Sequence, residues 1–244
     1  MQSSSNPTQR HKIIVDLFTF IKIGVVVGML IFLICNSRFA FILQSEVVEC
    51  FTDKIMDLTT PINNFLINNE VWRNALTITS SLMIDISFIG IMVYWILFIR
   101  SWRLIVSLLL FYGMRGLIQC FFIFSFPEGY TFKYPGFPSL IVVYTKTSDF
   151  FYSGHIGLPL IASLEFNKNG LLAPCIVCLC ITLIEGSFML FVRAHYSIDI
   201  IAGLVFAHYF FMITDKYIHY VDTLWLNMVQ GVCLIKGYKE EETE

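Results

Sequence analysis

Apolar residues run along this chain in long unbroken stretches, without the two-residue alternation of a half-buried strand or the narrow stripe of a surface helix. Six such stretches predict six membrane-spanning helices, at about 15–35, 76–99, 104–126, 150–166, 171–192 and 196–217. Each is near the roughly 20 residues that cross a bilayer. The fourth is the shortest. The fifth and sixth are nearly continuous, which predicts a tight turn near Arg193–His195. Segment 36–74 is a long connection with five acids and an Asn-rich stretch (Asn63, Asn64, Asn68, Asn69), and its part 39–67 suits an amphipathic surface helix. The expected fold is all-α, a polytopic membrane protein built as a six-helix bundle. Its expected parts are a cytosolic N-terminal segment 1–12, a membrane domain 13–218 and a cytosolic tail 219–244.

Composition narrows the class further. Hydrophobic residues make up 57% of the 244 and charged residues 14%, against about 25% charged in an average soluble domain. A mean hydropathy of +0.72 is too high for a water-facing surface. A soluble enzyme, a disordered chain and a disulfide scaffold are excluded, and lipid demands internal backbone hydrogen bonds, which helices supply. The net charge of −2 gives no basic field for nucleic acid. Three of the seven cysteines, Cys175, Cys178 and Cys180, sit in an apolar run with no nearby His, and they read as small membrane-helix filler. The first apolar stretch lacks a small-residue cleavage signature and reads as a retained span. Lys and Arg number eight on the N-terminal side and six on the other. That bias predicts cytosolic termini, with 36–74, 127–149 and 193–195 facing the lumen or exterior.

Polar residues inside apolar spans are expensive, so each is a functional candidate. His195 and Asp199 are four positions apart, one turn on one helix face. That spacing lets a carboxylate take the Nδ1 proton and leave Nε2 as nucleophile or base; a wet polar pair at a helix entrance is the alternative. At Ser153-Gly154-His155 an aromatic segment meets an apolar helix. Ser153 can cap the helix, Gly154 permits close backbone approach, the first amides suit a phosphate, and His155 can exchange a proton there. Arg115, mid-span, should pair either with an acid, Asp85 or Glu185, or with a bound phosphate. Arg193 suits either a phosphate oxygen or a snorkelling interfacial role. Segment 126–152 holds nine aromatics, which form either an interfacial belt or a surface for a bound cation. No carboxylate cluster suggests a metal, and no cofactor is implied.

The motifs Asp149-Phe-Phe-Tyr-Ser-Gly-His155 and His195-Tyr-Ser-Ile-Asp199 resemble the second and third motifs of the type-2 phosphatidic acid phosphatase superfamily. They are similar, more narrowly, to its sphingomyelin synthase branch, which includes the plant phosphatidylcholine:diacylglycerol cholinephosphotransferases. Arg115-Gly116, Arg193-x-His195-Tyr196, Gly203 and Lys216-Tyr217 carry the plant-type likeness, and the resemblance covers about 80–218. The phosphatase branch has an Arg six residues before the nucleophilic His, where this chain has Met189. The resemblance implies a headgroup transferase that moves phosphocholine or phosphoethanolamine from a glycerophospholipid to ceramide or diacylglycerol through a phosphohistidine. His155, His195 and Asp199 would be catalytic; Asp149, Ser153, Gly154, Arg115, Arg193 and Tyr196 would bind substrate. Asp149 is further implied as an ammonium partner or third carboxylate. Membrane lipids are the expected partners, in the endoplasmic reticulum, Golgi or cell surface. A lipid phosphate phosphatase using the same histidines, and a non-catalytic transporter or scaffold, are the competing expectations.

Overall fold

A computed structural model describes residues 7–42, 53–122, 124–144 and 150–241, with side chains described over 18–35, 53–122, 124–144 and 150–228. Among the described residues lie seven helices and no strand: α1 (Pro7–Ile42), α2 (Lys54–Asn68), α3 (Glu70–Phe98), α4 (Arg103–Phe121), α5 (Gly154–Lys168), α6 (Leu172–Phe191) and α7 (Ser197–Glu241). Five of them are long and apolar enough to cross a membrane: α1, α3, α4, α6 and α7. Of the six expected spans, the fourth does not reach that length among the described residues. The stretch around 150–166 is a helix of 15 residues, about 22 Å long, because its aromatic start at 150–153 is not helical.

Short as it is, α5 is the centre of the bundle. It packs on α3, α4, α6 and α7, and its residues from Ile156 to Ser163 are all buried. A helix apolar on every side belongs in a core. Close approach requires glycine at one point, since a Cβ on Gly157 would lie 1.9 Å from the Phe111 ring of α4. The turn between α6 and α7 falls at 192–196, where the sequence placed it, and α7 then continues unbroken to Glu241.

Three buried charges explain how the remaining chain is tied down. Lys22 of α1 is buried and donates to the carbonyls of Trp95 (2.9 Å) and Ile99 at the C-terminal end of α3. A cation there meets the negative end of the helix dipole and its unpaired carbonyls. Arg103 at the start of α4 donates through Nε and Nη2 to both Glu165 oxygens (2.8 Å each) and through Nη1 to Asp215 (3.1 Å), whose other oxygen takes Lys168 at 2.7 Å. This network joins α4, α5 and α7 at one end of the bundle.

Asp85 has a different task. After Phe121 the chain leaves the helix, earlier than the expected 126, and 124–144 returns irregularly along α3. Asp85 Oδ1 accepts from Ser139 Oγ (2.9 Å) and Ile141 N (3.1 Å), and Oδ2 accepts from Leu140 N (3.0 Å). Irregular backbone among apolar helices must have its polar groups met by protein. Asp85 meets them, so it is the anchor of a returning loop and not the partner of Arg115.

Candidate active site

At the end of the bundle opposite the Arg103 network, the start of α5 meets the α6–α7 turn. Ser153 is the N-cap of α5, with φ −73° and ψ 124°. Its N–H donates to the backbone carbonyl of Asp199 (3.0 Å), and its own carbonyl accepts from Gly157 N (3.2 Å). A Cβ on Gly203 would lie 3.0 Å from that carbonyl, so glycine on α7 allows the two helices to touch there. The Ser153 hydroxyl is buried and makes no cap hydrogen bond. It therefore does not spend itself on the first-turn amides, contrary to the capping expectation.

The opposing side is the turn. Val192 N, Arg193 N and Ala194 N donate to the carbonyls of Phe188, Leu190 and Met189. Arg193 has φ +57°, a left-handed conformation that costs a non-glycine residue roughly 1–2 kcal/mol. The reversal brings His195 to a position just before the first turn of α7. Its Nδ1 lies 3.3 Å from Asp199 Oδ2, with both residues buried. Asp199 is also a hub for the backbone. Oδ2 accepts from Tyr196 N at 3.0 Å, and Oδ1 accepts from Phe151 N at 3.1 Å. Phe151 itself has φ +58°. One carboxylate thus orients the imidazole and joins the two segments that carry the histidines.

The rings of His155 and His195 meet edge-on, with centroids 6.0 Å apart and planes at 65°. Phe132 from the returning loop meets His155 edge-on at 5.7 Å, and Phe150 meets His195 edge-on at 6.1 Å. Gly154 presses on Tyr112, where a Cβ would lie 3.2 Å from the ring. Arg115 is buried, and its Nε donates to the Tyr152 carbonyl at 2.8 Å. The ion pair expected with Asp85 or Glu185 is not formed: Asp85 holds the returning loop, and Glu185 accepts from Ser80. Tyr196 donates its hydroxyl to the Ser125 carbonyl at 3.0 Å. Arg193 does not snorkel. It is buried, and Nη2 donates to the Met56 carbonyl (2.9 Å) and the Thr60 hydroxyl (2.8 Å). Asp149 lies outside the described residues.

That last arginine contact exposes a part of the site the sequence reading missed. Of the expected surface helix 39–67, residues 39–42 belong to α1, 43–52 lie outside the described residues, and the rest is α2, which grips the turn from outside. Asp53 Oδ1 caps α2 by accepting from Ile55 N (3.0 Å) and Met56 N (3.2 Å), while Oδ2 accepts from Ser197 N (2.6 Å) at the start of α7. One carboxylate serves two helix N-termini, where negative charge is favoured. Asn63 Nδ2 donates to the carbonyls of Phe191 (2.8 Å) and Gly129 (3.1 Å). The outward residues Ile55, Leu58, Ile62 and Phe65 are exposed apolar side chains, as expected of a helix lying against lipid. Asn63→Leu is expected to leave both carbonyls without this donor, at about 1–3 kcal/mol for each buried group. Because Asn63 reaches the histidine only through the turn, kcat should fall by roughly ten- to a hundredfold with KM nearly unchanged. Thermal unfolding and initial rates check the two effects separately.

The family model described as AtPDCT1/2 matches residues 52–216, more than half of the chain and all of the site just described. Neither the curated proteins nor the solved structures give a match. The likeness to sphingomyelin synthases and phosphatidic acid phosphatases rests on the two histidine motifs alone, whereas the plant-type likeness coincides with the family that matches. The chain belongs to the AtPDCT1/2 family, that of the phosphatidylcholine:diacylglycerol cholinephosphotransferases.

Proposed function

We propose that this membrane phosphotransferase moves phosphocholine from phosphatidylcholine to diacylglycerol by way of a phosphohistidine on His195. The observation that carries the reading is the pair of imidazoles, 6.0 Å apart, with a carboxylate behind one of them. With Nδ1–H donated to Asp199, the Nε2 lone pair of His195 is free for attack on phosphorus. A bond forms between Nε2 and phosphorus as the bond to the diacylglycerol oxygen breaks, and His155 gives that oxygen a proton. Asp199 stabilises the imidazolium that develops. A second diacylglycerol then enters, His155 takes its hydroxyl proton, and its oxygen displaces His195 from phosphorus. The amides at the start of α5 stabilise charge on the phosphoryl oxygens, assisted by the positive end of the helix. Arg115 is held 2.8 Å from the Tyr152 carbonyl, next to this helix start, and adds positive charge there. Arg193 contributes chiefly by fixing the turn. The apolar bundle keeps water from the intermediate. The excess of Lys and Arg on the N-terminal side supports a lumenal or exoplasmic site.

The purified protein in liposomes of unlabelled phosphatidylcholine, given fluorescent diacylglycerol or fluorescent ceramide, tests this. Fluorescent phosphatidylcholine should form, and it should form faster than any sphingomyelin. Exclusive labelling of ceramide would overturn the acceptor. Release of phosphate from phosphatidic acid, with no headgroup exchange, would replace transfer by hydrolysis.

A further inference from the structure

Helix α2 faces the site along one strip only. Its buried residues are Met56, Asn63 and Leu66, and half-buried Thr60 lies between them. Met56 shares a packed cluster with Phe150 and Tyr196, and Phe150 meets the His195 ring edge-on at 6.1 Å. The Met56 carbonyl and the Thr60 hydroxyl accept from Arg193 Nη2, and Asn63 Nδ2 donates to the Phe191 carbonyl. Helix α2 therefore touches the end of α6, the turn and, through Asp53, the start of α7. Arg193 keeps φ +57°, a conformation that persists only where the surroundings hold it, and α2 supplies part of that hold.

Helical periodicity sorts the outward residues into two further strips. Ile55, Leu58, Ile62 and Phe65 form one, and all are exposed, Leu58 to 80%. Lys54, Asp57, Asn64 and Asn68 form the other and are exposed as well. A helix with a protein strip, an apolar strip and a polar strip fits the boundary between a membrane and water. The apolar exposure continues past Asn69 into the first turn of α3, where Val71 and Trp72 are exposed. Because α3 is long and apolar enough to cross the membrane, the face runs on into a lipid-facing surface, which argues for lipid as its occupant. Charge narrows the kind of lipid. Lys54 and Asp57 cancel, and Asn64 and Asn68 are neutral. Such a helix gains little from anionic headgroups and docks by placing apolar side chains where acyl chains are exposed between the heads.

We propose that α2 docks into a loosely packed leaflet at the histidine end and, through Met56 and Arg193, makes the arrangement of the His195 turn depend on lipid packing. In a loose leaflet the strip from Ile55 to Phe65 is buried among acyl chains, and the helix is pinned against the turn. In a tight leaflet the strip finds no room, α2 is held less firmly, and the hydrogen bonds to Arg193 and Phe191 weaken with it. The docking stands apart from the chemistry; its effect on rate rests on the proposed phosphohistidine.

Two readouts on the full chain, in vesicles of unsaturated digalactosyldiacylglycerol, test the two halves. The first is photochemical. Leu58→p-benzoylphenylalanine should crosslink to acyl chains on irradiation, and Asn64→p-benzoylphenylalanine should not. Crosslinking from position 58 to a second copy of the chain, or to no lipid, overturns the docking. The second uses p-nitrophenyl phosphocholine, a water-soluble donor that reaches His195 without being drawn from the leaflet. First-turnover release of p-nitrophenol should slow by about fivefold or more when cholesterol tightens the vesicles, the low end for coupled sites. An anionic sulfolipid should leave it unchanged. Leu58→Ser combined with Phe65→Ser alters only outward residues, so thermal unfolding should stay close to the parent, while release should be slow in loose vesicles and indifferent to cholesterol. A parent indifferent to cholesterol, or a double variant that responds like the parent, overturns the coupling. Acyl crosslinking at position 58 in a protein that releases no p-nitrophenol in any vesicle would leave the docked helix standing and remove the reaction.

Discussion

His195→Ala is expected to reduce phosphocholine transfer by at least about 10³-fold, because the nucleophile that splits the exchange into two steps is gone. The bundle should still assemble, since the turn is held by backbone hydrogen bonds from 192–194 and by the Asp53 and Arg193 contacts with α2. His155→Ala should cost less, about 10²–10⁴-fold, the usual span for a general acid–base group. The two also differ in kind. A donor whose leaving group needs no proton, such as p-nitrophenyl phosphocholine, should restore formation of the phosphohistidine in the His155 variant and not in the His195 variant. Trapping labelled phosphocholine on the denatured protein reads this directly. Parent-like rates in His195→Ala would remove the phosphohistidine from the mechanism.

Asp199→Asn is the second large effect, and it has two sources. The first is chemical, because an amide supports the developing imidazolium poorly and can fix the wrong tautomer. Turnover should fall by 10² or more, on the order of a general acid–base contribution. The second is structural. Oδ2 faces Tyr196 N and His195, and Oδ1 faces Phe151 N. Either orientation of an asparagine turns its NH₂ toward a backbone N–H. One amide is then left unsatisfied, at about 1–3 kcal/mol. The variant should therefore unfold at a lower temperature as well as turn over slowly. A variant as stable as the parent would show that the carboxylate does not join the two segments.

The contrast between these residues and α2 explains what the sequence made legible. Asp199 is in the first turn of α7 and His195 lies two residues before that helix, so their pairing is local in the chain and can be read from spacing. Ser153-Gly154-His155 is likewise local, because the place where an aromatic segment gives way to an apolar run is where α5 begins. Asn63 and Phe191 are 128 positions apart, and no periodicity joins them. Arg115 shows the same limit. An intramembrane arginine implies a partner, but the choice of the Tyr152 carbonyl over Asp85 depends on where the returning loop runs. That loop, in turn, is held by Asp85 through backbone amides, which no side-chain motif reveals. The overestimated length of the fourth stretch has a simpler origin. Hydropathy cannot distinguish the extended aromatic residues at 150–153 from the helix they lead into, because both are buried.

The brevity of α5 has a consequence for how lipid reaches the histidines. Its C-terminal end carries Lys168 and the charged network of Arg103, Glu165 and Asp215, groups that belong at a boundary with water. Its 15 residues rise about 22 Å from there, while the hydrocarbon layer is about 30 Å thick. With α5 along the membrane normal and that end at the surface, His155 would lie about 8 Å short of the far surface, by the difference of those two lengths. A polar head entering the site has to sink into a well below the plane of its neighbours while its acyl tails remain in the bilayer, and each exchange is a descent and a return.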